Sequence, residues 1–289
     1  SRETLLEASR IAAQLADGPL AAEAALANSR GFMSIIGAID EERLAAIAQA
    51  LALTPEDDLA TRARLRSLEA MELAWSTDLE RRSACTEEAF RLARESGDAA
   101  AVAVVARNVA YADLSPAGLE QRVEAAAELA RCASALQDPA LEWWALEHER
   151  IIAVEQGRMA DADAALGRME TLVAGLGQPT MRWQTAFAAA AHELFRGHLA
   201  STEELAERAL ALGQEAGQGD AVFIYGAQLS FVRIEGGRLD EVVPMLEASV
   251  AAYPGIAAWS AALAAVYARS GREAADRARS VSCEAFPEF

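Results

Sequence analysis

The stretch 139–157, PALEWWALEHERIIAVEQG, is followed at 179–197 by PTMRWQTAFAAAAHELFRG and at 219–237 by GDAVFIYGAQLSFVRIEGG. Gly157, Gly197 and Gly237 stand forty residues apart, each followed by a basic or imidazole side chain: Arg158, His198 and Arg238. Fourteen residues before each glycine sits a large aromatic, Trp143, Trp183 or Phe223, and Pro139 and Pro179 repeat at the same interval. Several columns sharing one register define an array of stacked helical hairpins, in which each unit buries its apolar face only against its neighbours. The fold expected is therefore all-α, a solenoid of antiparallel helical hairpins wound into a right-handed superhelix. Arrays of this kind bind more often than they catalyse.

The punctuation between columns is that of helix ends. Asp138-Pro139 gives an N-cap followed by proline in the first turn, and Thr54-Pro55-Glu56-Asp57 and Ser115-Pro116 read the same way. Gly97, Gly157, Gly177, Gly197, Gly217 and Gly271 suit left-handed C-terminal caps. Period-two runs of β-branched residues are missing, and Ala, Leu, Glu and Arg dominate. Pro244 looks misplaced in a helix, but with Asp240 as N-cap it falls in the first turn, where its missing N–H costs nothing. The expected organisation is three lead-in or capping helices in 1–53, a repeat array over 54–283 and a tail at 284–289. The hairpins of the array fall at about 54–96, 97–134, 138–175, 178–216, 219–252 and 255–283.

Composition narrows the chemistry. The net charge is −18, from 44 acids against 26 bases, so the field of the chain repels phosphate and disfavours a nucleic-acid or anionic-membrane partner. Every base is Arg and none is Lys. A phosphate-binding loop of the GxxxxGKS type, a Schiff-base enzyme and a kinase each need a Lys, and none can be built here. All-arginine usage is also what a GC-rich genome produces, and it leads to the same exclusion. Cys85, Cys132 and Cys283 have no partner at metal-ligand or CxxC spacing, which fits reduced thiols in the cytoplasm. No signal-peptide pattern and no run of about eighteen uncharged apolar residues occurs. The chain opens on Ser-Arg rather than Met, as expected of a segment of a larger protein or of a complete one after tag removal.

The run Gly157-Arg-Met-Ala-Asp-Ala-Asp-Ala-Ala-Leu, echoed from Gly197 and Gly237, resembles a tetratricopeptide repeat with a lengthened period. Tyr225-Gly-Ala-Gln-Leu-Ser-Phe-Val-Arg-Ile-Glu-Gly-Gly-Arg-Leu and Ala70-Met-Glu-Leu-Ala-Trp-Ser-Thr-Asp-Leu-Glu-Arg-Arg resemble the carboxy-terminal repeats of large bacterial ATP-dependent regulators. Those proteins carry an AAA or STAND ATPase with a LuxR-type DNA-binding or cyclase-like domain. The resemblance, over about residues 25–280, implies a sensor or scaffold that receives a protein partner or small-molecule inducer and biases the ATPase. The ATPase, cyclase and DNA-binding motifs themselves are not in this sequence, so those activities transfer to no residue here.

Candidate catalytic groups read as structural. His148, His192 and His198 form no HExxH, and the Asp57-Asp58 and Asp161/Asp163 pairs sit at helix starts, where acids complement the helix dipole. The densest polar-aromatic cluster is Trp143, Trp144, Glu147, Glu149 and Arg150, without a second acid cluster to face it. No metal, cofactor or catalytic residue is therefore expected. The ligand candidates are Trp144, His148, Gln184 and Gln228, with Arg233 for a carboxylate or phosphate, on the concave face formed by the first helices of the hairpins at 138–175, 178–216 and 219–252. The same side chains also read as packing of that face. Two alternatives to a non-catalytic binding module stay open: an all-helical enzyme with a site between repeats, and a self-assembly scaffold forming homo-oligomers.

Overall fold

The computed structural model describes residues 1–29, 36–252 and 256–270. Among them the chain is all-α, with no strand. Two compact units divide it between Leu176 and Gly177.

In the first unit, α1 (Arg2–Gln14), α2 (Gly18–Ala27) and α3 (Glu41–Leu53) pack on one another, and α2 and α3 reach α4 (Leu59–Glu72). Three hairpins follow: α4 with α5 (Leu79–Ser96), α6 (Ala99–Ala112) with α7 (Leu119–Leu136), and α8 (Pro139–Glu155) with α9 (Met159–Leu176). Their first helices stack in order, α4 on α6 and α6 on α8. In the second unit α10 (Pro179–Phe195) pairs with α11 (Leu199–Glu215) and α12 (Ala221–Glu235) with α13 (Leu239–Ala252); α10 stacks on α12, and α14 (Ala257–Arg269) packs on α13. Gly271, Cys283, the second half of the hairpin expected at 255–283 and the tail 284–289 lie outside the described residues.

The forty-residue register runs further back than its aromatic column shows. Asp58, Asp98 and Asp138 are N-caps of α4, α6 and α8, each accepting backbone N–H bonds in the first turn. Gly97, Gly177 and Gly217 take left-handed backbone after α5, α9 and α11, at φ of 68°, 60° and 65°. The intervening position of that column is Gln137, which holds the same conformation at φ 51° without being a glycine. The pair that ends one hairpin and starts the next is thus complete in Gly97-Asp98, lacks its glycine in Gln137-Asp138, and lacks its cap in Gly177-Gln178. Gln178 has extended backbone in the N-cap position but makes no side-chain cap bond. Completing either pair should stabilise the protein: Gln137→Gly by about 0.5–1 kcal/mol through relief of the left-handed penalty, and Gln178→Asp by about 1 kcal/mol through the missing cap. Chemical denaturation of the two variants measures both, and a loss of stability in either would break the register argument at that position.

Two details of helix punctuation differ from the sequence reading. Thr54 ends α3 instead of starting α4: its hydroxyl donates to the Ala50 carbonyl at 2.7 Å, and Asp58 is the cap that begins α4. The competing carboxylate four residues on wins because it accepts the Thr61 N–H at 3.1 Å. Pro244 lies inside α13, whose first residue is Leu239, so Asp240 is already helical and its carbonyl loses the bond that residue 244 would have donated. The aromatic column holds for two members and not for the third. Trp143 and Trp183 are 0% and 1% exposed, whereas Phe223 is half-buried, its ring edge-on to Trp259 at 5.3 Å. Among the described residues, α14 alone follows the hairpin that carries Phe223, so no full helix pair covers it.

Candidate functional site

The polar residues on the stacked first helices have a second regularity, offset by one from the register. Asn108 on α6 donates to the Ser67 hydroxyl on α4 at 3.0 Å. His148 on α8 hydrogen-bonds the backbone of Arg107 on α6. Gln228 on α12 donates to the Phe187 carbonyl on α10 at 2.7 Å. Each bond reaches back forty-one residues, one helical layer and one position, so 108, 148 and 228 form a column of side-chain clasps between successive first helices. The remaining member of that column is Ala188, fully buried.

Around the His148 clasp, α6 and α8 assemble a buried polar-aromatic cluster. Trp144 meets Trp143 edge-on at 4.9 Å and Tyr111 edge-on at 6.1 Å, and its ring lies nearly parallel to His148 at 6.4 Å. The Tyr111 and His148 rings are 4.9 Å apart. Glu147 accepts from Arg150 at 2.7 and 2.8 Å in a two-pronged pair, both side chains under a tenth exposed. Arg107 lies with its guanidinium 5.4 Å from the centre of the Trp144 ring. Its polar contacts are two long bonds to the Asn108 side-chain oxygen, at 3.3 and 3.4 Å, and no carboxylate of the described residues pairs with it.

Electrostatics in the cluster follow from burial. Desolvation, reinforced by Arg107, Arg150 and Arg122, pushes His148 down from its ordinary 6.5 to about 3, against the opposing bond to the Arg107 backbone. The imidazole is neutral near pH 7, and its Nε2 is enclosed without a hydrogen-bond partner. Burial, aided by Glu147, holds the Tyr111 phenol well above its usual range, against Arg150 and Arg107. Glu147 is committed to Arg150 and offers no free carboxylate for acid or base work. Burial also raises the Cys85 thiol to about 11, with Glu69 adding, so no nucleophilic thiolate forms there near neutrality.

A pH dependence follows from His148. Its folded pKa lies below the unfolded value near 6.5, so between about 3 and 6.5 the unfolded chain holds the extra proton. Stability therefore rises with pH through that window, and the His148 contribution is intact above about 6.5 and declines as pH falls. At pH 5 the loss is about 2 kcal/mol relative to pH 8. His148→Gln, which copies the clasp residue at 228, should flatten the stability profile between pH 5 and 6.5; an unchanged slope in the variant would assign the loss to other groups.

The five residues singled out from sequence fall into the two units. Trp144 and His148 are in α8, 5% and 2% exposed, within the cluster just described. Substituting Trp144 is thus a core truncation as well as the removal of a flat apolar surface. Gln184 on α10 is fully buried, with neither side-chain amide atom hydrogen-bonded, and Gln228 clasps α10. Arg233 is half-buried, paired with Glu241 at 3.3 Å and donating to the Met245 sulfur at 3.2 Å. Arg107, Asn108 and Tyr111 were missed because α6 precedes the aromatic column. Counting back forty from His148 finds Asn108, and the next residue back is Arg107.

A concavity of about 620 Å³ lies between α7, α8 and α9, with Ala133, Ala145 and Leu146 in its lining and the Arg168–Glu142 ion pair, 2.6 Å, on its polar side. Among the described residues no three His, Cys, Asp or Glu side chains are grouped to hold a metal, and no helix is long and apolar enough to cross a membrane. No protein-family model matches the chain, and no curated protein matches it.

Proposed function

We propose that the chain is a non-catalytic interaction or ligand-sensing module, a helical-repeat segment of a larger bacterial signalling or transcriptional regulator of the LuxR-type ATPase kind, working in the cytoplasm. The observation that carries this reading is the stacking of repeated first helices, which brings Arg107 and His148, forty-one apart in sequence, into one polar-aromatic cluster on α6 and α8. A cluster built that way has fixed geometry and few reactive groups, the mixture selective binding uses. Its ion pair and its neutral imidazole suit recognition better than proton transfer. A protein or peptide partner, or a small-molecule inducer, would bias an attached ATPase through a coupling free energy between two sites.

The test is a ligand screen by thermal shift with small metabolites, run beside capture of the regulator's own remaining domains on the immobilised chain. A specific ligand or domain contact supports the reading; robust turnover of a substrate with neither would overturn it. Duplex DNA at about physiological salt is expected not to bind at submicromolar concentration, because the acidic field opposes it.

A further inference from the structure

We infer that the concavity between α7, α8 and α9 binds a linear aliphatic diamine, with one ammonium at the Glu149 carboxylate and the other at the turn between α7 and α8, beside Glu142 and the Gln137 amide oxygen. The inference rests on the binding-module reading and narrows it to a ligand class.

Three observations converge. The first is room with access. The concavity holds about 620 Å³, within the roughly 300–1,000 Å³ of small-molecule sites, and its lining includes the exposed Gln137 and Glu149, so it opens to solvent. Ala130, Ala133, Ser134 and Gln137 follow the i, i+3, i+4, i+7 spacing of one helix face, and so do Glu142, Ala145, Leu146 and Glu149 on α8. The small side chains in the middle of both stripes leave the gap.

The second observation is charge. The lining sets three acids, Asp138, Glu142 and Glu149, against the single base Arg168, which leaves two net negative charges. Arg168 takes one oxygen of Glu142 at 2.6 Å, and Asp138 spends an oxygen on capping α8, at 2.8 and 3.2 Å. Glu149 has no hydrogen bond or ion pair among the described residues. The third observation is Gln137. Glycine fills its column at Gly97, Gly177 and Gly217, whereas the glutamine holds the left-handed backbone at φ 51° against a steric penalty that glycine does not carry. Its side chain makes no bond within the protein.

These features select among cations. Glu142 and Glu149 stand two turns apart on α8, about 10 Å along the axis, with Ala145 and Leu146 between them. A compact dication cannot meet both ends, and the alanine floor offers it no oxygen ligands. A single ammonium at an exposed carboxylate gains little in water, whereas two on one methylene spacer reinforce each other through effective concentration. The spacer then covers Ala133, Ala145 and Leu146.

The probes are cadaverine, pentylamine and Mg²⁺, titrated into the full chain by calorimetry at constant ionic strength. Cadaverine is expected to bind at least tenfold tighter than either of the others. Glu149→Gln should lose tenfold or more of the cadaverine affinity, whereas Glu80→Gln, which removes the same charge from an exposed position on α5, should leave it unchanged. Gln137→Gly should weaken binding several-fold while raising stability, a split that a purely structural role would not produce. The comparison of cadaverine with pentylamine on the unaltered chain depends on no variant folding. Pentylamine or Mg²⁺ binding as tightly as cadaverine, equal losses in Glu149→Gln and Glu80→Gln, or full affinity in Gln137→Gly would each overturn the assignment. Absence of cadaverine binding would overturn it too, and would leave the broader reading to stand or fall on its own screen.

Discussion

Trp183→Ala is expected to lower the free energy of unfolding by about 3–5 kcal/mol, the usual cost of truncating a large buried aromatic ring. The ring is 1% exposed and edge-on to Phe187 at 5.1 Å. Its seat is cut by a glycine on the partner helix: a β-carbon placed at Gly213 would stand 2.7 Å from Trp183 Nε1 and 2.5 Å from the Ala221 β-carbon. Glycine in the last turn of α11 sacrifices up to about 1 kcal/mol of helix propensity, and the close approach of the indole offsets it. Gly213→Ala should therefore destabilise despite alanine's better propensity, because the ring, Ala221 or both must shift. Urea melts of the two single variants check this. A Trp183→Ala loss under about 1 kcal/mol would mean that the site collapses around the gap, and a stabilised Gly213→Ala would show that the seat has slack.

The forty-residue column of Trp143, Trp183 and the turn glycines was legible because such positions have one physical requirement each, a filled core or a left-handed backbone. The glycines behave accordingly: Gly157, Gly197 and Gly237 all sit at φ of 71–78° in the turns between paired helices. The aspartate caps at 58, 98 and 138 carry an equally strict requirement, yet the third recurrence is glutamine at 178 and the column stops before the aromatic one is well established. The site was legible only as composition. Trp144 follows Trp143 by one residue, which on an isolated helix turns the side chain about 100° away and would expose it. In α8 both indoles are buried, because that helix packs on α6, α7 and α9 together and its covered face is far wider than one stripe. Nothing in the sequence spacing shows how many neighbours a helix has. For the same reason His148 and Gln228 read as ligand contacts, while the structure spends their side chains on bonds between layers.

Glu147→Ala should destabilise by about 3–5 kcal/mol, comparable to the loss of a core indole although fewer atoms are removed. Alanine leaves Arg150 buried with its two short bonds to Glu147 unmade and that counter-charge gone. The pair itself contributes far less than that, because desolvating two ions consumes most of their attraction. Replacing both partners, Glu147→Met with Arg150→Leu, should consequently recover most of the loss and leave stability within about 1–2 kcal/mol of the parent protein. The two measurements separate what the pair contributes from what breaking it costs. A double variant as unstable as the single one would show that Glu147 and Arg150 act through separate contacts and not as a pair.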